Sequence, residues 1–114
     1  MGNFLQVSGI ELRYLLTTYL HDHGPATIGE LVDALTYHGF GVGERPSKTV
    51  SDALRWERAH GRVHQLGRGR YGPASMPRAT EHRIHTRVLA LHARVAEMSL
   101  TRGHDGYSPD FPAA

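Results

Sequence analysis

Apolar positions recur at helical spacing in four stretches of this chain, and one stretch between them changes period. Ile10, Leu12, Leu15, Leu16, Tyr19 and Leu20 mark a helix over Ile10–His23. Ser8 stands at its N-cap with Glu11 at the third helical position, the pattern of a capping box, and Gly24-Pro25 stops it. Thr27-Ile28-Gly29-Glu30 repeats the box. Ile28, Leu31, Val32 and Leu35 then carry a short second helix through Tyr37, with Gly39 as its stop and Phe40-Gly41-Val42-Gly43 as a flexible connection.

Pro46-Ser47 opens a third helix, Ser47 being the expected N-cap, and Gly61 closes it. At about 100° per residue, Val50, Ala53, Leu54 and Glu57 gather on a core-facing side. Lys48, Ser51, Asp52, Arg55 and Ala59 gather on the other, with Arg58 between and Trp56 at the flank, where it is expected to pack against the core. After Gly61 the period shortens. Arg62–Leu66 and Arg70–Pro73 read as two short strands around Gly67-Arg68-Gly69, a three-residue hairpin loop in which glycine supplies positive φ. Residues 74–77 form a linker.

A long helix follows over Arg78–Thr101. Ile84, Val88, Leu91, Val95 and Met98 are spaced four, three, four and three apart, with valine at the a positions and Ile, Leu and Met at d, a choice that suits two-stranded pairing. This stripe is expected to join two copies of the chain; the alternative is that the helix folds back on the first helix of its own chain. The division expected is a domain over 1–76, a dimerisation helix over 77–102 and a disordered tail over 103–114.

Charge sharpens this picture. The net charge of +2 divides into −4 over residues 1–44, where Arg13 is the one basic side chain, +8 over residues 45–102 and −2 over the tail, from Asp105 and Asp110. A basic block of this kind points to an acidic partner. The chain has no cysteine, so disulfides, thiolate metal sites and cysteine nucleophiles are excluded. No apolar run is long enough to cross a bilayer, and Met1-Gly2-Asn3-Phe4 lacks the basic-then-apolar order of a signal peptide. A cytoplasmic location without membrane contact is expected.

Three helices followed by a tight hairpin resemble the winged helix-turn-helix superfamily of transcriptional regulators. The likeness covers about Ser8 to Pro73 and rests on Thr27-Ile28-Gly29-Glu30-Leu31, on Ser47–His60 and on Gly67-Arg68-Gly69-Arg70-Tyr71. It implies an α+β, mostly α fold, three helices plus a β-hairpin wing, here followed by the long C-terminal helix. It also implies that the third helix enters the major groove of DNA. Lys48, Ser51, Asp52 and Arg55 would then face base edges, Lys and Arg reaching guanine and Asp accepting from cytosine. Ser47 and Thr49 near the helix start would meet phosphate. Arg68 at the wing tip would enter a minor groove or lie along phosphates. Arg45, Arg58, Arg62 and Arg70 would position the duplex without reading it. The function expected is sequence-specific double-stranded DNA binding by a dimeric transcriptional regulator; the alternative is a winged-helix interaction module whose basic face meets an acidic protein.

The chain has nine histidines, a residue type that commonly ligates metal. His82 and His85 share a helical face and are candidate ligands with Glu81, but this set is incomplete, and no cofactor is expected. His21 and His23 suit a helix C-terminus, where imidazolium favours the dipole. There is no nucleophile elbow, P-loop, HExxH or glycine-rich dinucleotide turn, and no enzyme is expected.

Overall fold

A computed structural model describes residues 4–103, with side chains as far as Met98. The fold is α+β, four helices with a small antiparallel sheet. Residues 104–114 of the expected tail lie outside the described residues, and Gly103 is the last residue of a helix.

Helix α1, Gly9–His23, lies at the centre. Leu12, Tyr14, Leu15, Leu16, Thr17 and Leu20 are all buried, which takes up most of the circumference. A helix is apolar nearly all round when other elements pack on several of its sides. Ser8 is the N-cap as expected, but its hydroxyl makes no capping bond and the box does not close. Glu11 is drawn elsewhere: its Oε2 lies 3.8 Å from Nη2 of Arg87. Helix α2, Ile28–Tyr37, does have a closed box. The Glu30 N–H donates to Thr27 Oγ1 at 3.1 Å, and the Thr27 N–H donates to Glu30 Oε1 at 2.8 Å.

Helix α3 spans Pro46–Ala59, and its N-cap is Arg45 where Ser47 was expected. Proline explains the earlier start, because its fixed φ and missing N–H suit the first helical position. Val50, Leu54 and Glu57 face inward.

Three strands make the antiparallel sheet: β2 (Ala26–Thr27), β4 (Val63–Gly67) and β5 (Arg70–Pro73), in the order β2-β5-β4. Gly67 pairs with Arg70, so the hairpin closes on Arg68-Gly69, one residue tighter than expected. The register shifts between Gln65 and Gly67, which leaves Leu66 as a bulge and accounts for its poor alternation. Gly69 takes φ +67°, and its carbonyl accepts the Ile28 N–H at 3.0 Å. The turn is thereby tied to the first residue of α2.

Phe40-Gly41, expected as a flexible connection, is strand β3, pairing in parallel with strand β1, Leu5–Gln6. The Leu5 and Val7 N–H groups donate to the Gly39 and Gly41 carbonyls, each at 2.9 Å. Pairing these backbone groups holds the start of the chain against the end of α2.

Helix α4, Arg78–Gly103, packs along α1. Ile84, Val88 and Leu91 are buried in the same hydrophobic cluster as Leu12, Leu16 and Leu20. Val95 is half-buried and packs on that cluster; Met98 is half-buried too. At Gly39, with φ +89°, an added Cβ would come within 2.7 Å of Val95 Cγ1, so glycine admits α4 there. The stripe expected to meet a second copy is therefore covered within the chain. The reason is the nearly all-round apolar surface of α1, which still has a free side once α3 and the sheet are in place. The expected boundary at residue 76 is crossed by this one core.

Candidate nucleic-acid interface

The candidate surface begins on the outer side of α3. Because Val50, Leu54 and Glu57 fix the inward face, Lys48, Asp52, Arg55 and Arg58 are held outward and exposed, with Ser51 half-buried beside them. Asp52 links two cations: Lys48 Nζ donates to its Oδ2 at 3.0 Å and Arg55 Nη1 to its Oδ1 at 3.3 Å. Arg55 Nη2 also donates to Ser51 Oγ at 3.3 Å. The Lys48 hydrogen bond, with both positive charges, holds the Asp52 carboxyl below its ordinary range. These are solvent-exposed pairs at i,i+3 and i,i+4 spacing, weak enough to open when a ligand offers better partners.

Arg45 and Ser47 are exposed at the start of α3, and Thr49 is half-buried. The first N–H groups of any helix lack internal acceptors, so an anion can be met there by backbone as well as by side chains. On the hairpin, Arg68 stands exposed in the turn and Arg70 is exposed on β5. Setting Arg62 and Glu57 aside, the segment 45–70 presents six cations and the single acid Asp52.

Arg62 does something other than what the sequence led us to expect. Its Nε donates to Glu57 Oε1 and its Nη2 to Glu57 Oε2, both at 2.8 Å. Glu57 is fully buried, and the Thr17 hydroxyl donates to Oε1 at 2.8 Å. The bidentate bond to Glu57 pushes the Arg62 pKa further up. Arg62 is thus a structural clamp between α3 and the start of β4, with its fork already occupied.

Arg13, given no role by the sequence, completes this group. Its Nε lies 3.5 Å from Glu57 Oε2, an ion-pair distance without hydrogen-bond geometry. Its guanidinium carbon lies 3.9 Å over the Trp56 ring, whose other side stacks on His60 at 3.6 Å. Both faces of Trp56 are taken, so although partly exposed it offers none to a nucleobase. A signal for Arg13 did exist: a core-facing glutamate on α3 requires a buried cation, and Arg13 is the one basic residue of the first 44.

No family model, curated protein or solved structure matches this chain.

His82 and His85 lie away from α3, in a cleft of about 440 Å3 between α1 and α4 that also takes in His21 and Glu81. His21 Nε2 is 3.6 Å from Glu81 Oε2. Among the described residues, no three His, Asp or Glu side chains come together in a way that could hold a metal ion. No helix among them is long and apolar enough to cross a membrane.

Proposed function

We propose that this chain is a winged helix-turn-helix protein that binds double-stranded DNA sequence-specifically, as a transcriptional regulator does, with α3 in the major groove and the β4–β5 hairpin as its wing. One observation carries the reading: the face of α3 opposite Val50, Leu54 and Glu57 is a polar, mainly basic surface that no other element among the described residues covers. Anchoring of the hairpin turn to α2 through Ile28 and Gly69 adds support, since a wing must be rigid to position phosphate.

In this reading Lys48, Ser51, Asp52 and Arg55 face base edges. Arg55 donates to guanine O6 and N7, and Asp52, released from Lys48, accepts from cytosine N4. Arg45, Arg58 and Arg70 neutralise phosphates on either side, and Arg68 extends from the wing tip along the backbone or into a minor groove. Arg62 belongs to the scaffold. Each chain offers one recognition helix. The proposal is for a single domain on its site, because the stripe that would pair two chains is spent on α1.

The test is fluorescence anisotropy on unrelated duplexes across a salt series. Six exposed cations limit the slope of log affinity against log salt to no steeper than about −5. A slope between about −3 and −5 is expected. Failure to bind any duplex at low salt, with salt-sensitive binding to an acidic protein, would instead favour an interaction module.

A further inference from the structure

Between α1, α2 and α4 the surface opens into a pocket with an apolar floor. This half-open pocket, of about 140 Å3, has a floor of Leu15, Leu16, Leu31, Leu35, Phe40 and Val88, and it lies away from the basic face of α3. A ring seated on that floor gains dispersion contacts that water does not supply. Ligand sites are commonly apolar clefts of this kind with a few polar groups at the mouth.

The polar lining comes from Thr18, Asp22 and His23 of α1 and from His38 and His92. His38, at the C-cap of α2, and His92, on α4, meet edge to face with ring centroids 5.4 Å apart, and His92 also meets Phe40 at 5.2 Å. Tyr19 stacks on His23 at 4.3 Å at the rim, beside Asp22. Partial burial and the neighbouring His38 lower the His92 pKa, which favours the neutral imidazole, whose unprotonated nitrogen accepts a hydrogen bond.

We propose that this cavity binds a small neutral aromatic molecule carrying one hydroxyl or ring N–H, of the size of phenol or indole. Its volume admits one ring. The apolar floor offers nothing to a charge, so an uncharged ring fills it, and Asp22 at the mouth disfavours a carboxylate. The imidazoles of His38 and His92 provide the partner for a single donor. Such a ligand touches α1, α2 and α4 together, so binding strengthens the docking of α4.

Phenol is the probe, titrated into 15N-labelled protein with backbone amide shifts as the readout. Saturable shifts confined to the amides around Leu15–His23, Leu31–Phe40 and Val88–His92 are expected, with a Kd at or below about 1 mM. Ala34, half-buried on the cavity wall, gives the first control. Ala34→Leu fills the space and is expected to weaken phenol more than about tenfold. His92→Phe keeps the ring but removes its acceptor. It is expected to weaken phenol about fivefold, the worth of one hydrogen bond, and to leave toluene unchanged. Shifts that do not saturate by about 10 mM, that map elsewhere, or that persist in Ala34→Leu would overturn the site. Equal losses of phenol and toluene in His92→Phe would overturn the assignment of the hydroxyl partner.

Discussion

Replacing Arg62 with alanine separates scaffold from interface more sharply than any other single change. The substitution removes two charge-assisted hydrogen bonds of 2.8 Å and leaves Glu57 fully buried. Removing one partner of a buried pair typically costs about 3–5 kcal/mol, because the remaining charge has no water to turn to. Here two groups soften the loss: the Thr17 hydroxyl still donates to Oε1, and Arg13 Nε remains 3.5 Å from Oε2. The Arg62 side chain also keeps 19% of its exposure, which admits some screening. A cost of about 3 kcal/mol is therefore expected, enough to lower Tm by more than about 10 °C. Urea denaturation at fixed pH measures it. On the folded fraction, the salt slope of DNA binding should keep its wild-type value, since this guanidinium meets no phosphate. Replacing Glu57 and Arg62 together with leucine should restore much of the stability, as matched apolar pairs often do. Unchanged stability in Arg62→Ala, with a salt slope flatter by about one unit, would refute the reasoning and return Arg62 to the interface.

Leu91→Ala, at a site only 2% exposed against α1, is expected to cost about 2–5 kcal/mol, with a Tm independent of protein concentration. A loss that depends on concentration would mean that a second copy, and not α1, covers the stripe. Folding should also respond to mild acid through His92, whose pKa burial and His38 hold below the ordinary 6.5. Protonation then favours the unfolded chain, so this contribution is intact above about pH 7 and is lost as pH falls below 6.5 through the folded value. Unfolding free energy measured from pH 7.5 to 5 should decline less steeply in His92→Phe than in the wild type; identical profiles would contradict the assignment.

The four helices and the hairpin were legible because each has a local signal. Thr27 and Glu30 formed the capping box the sequence indicates, with both bonds in place. Ser8 and Glu11 carry the same letters but form none; Gly9 between them takes φ +56°, and the Glu11 carboxylate lies 3.8 Å from Arg87 of α4. The stripe from Ile84 to Met98 announced an apolar face without saying what would cover it. A heptad spacing and a fold-back on a neighbouring helix leave the same pattern over so few turns. What decided it was the spare apolar surface of α1. Strands β1 and β3 are two residues each, too short for any period to show. On the candidate surface, the outward set from Lys48 to Arg58 followed from helical geometry alone. Arg62 and Arg13 did not, because their roles depend on Glu57, a charge that the fold buries and that then claims its cations. Charge counting treats every arginine alike; burial distinguishes them.

The central claim, that the outer face of α3 reads base edges, is tested most directly through Arg55. Duplexes selected by the wild-type protein from a randomised pool supply the preferred site, and a scrambled duplex of equal length is the control. The affinity of Arg55→Ala is then measured on both at one salt concentration. The account predicts a loss of about 1–3 kcal/mol on the preferred site, roughly five- to 150-fold, and a far smaller loss on the scrambled duplex. Equal losses on the two duplexes, or a selection that enriches no sequence at all, would contradict it.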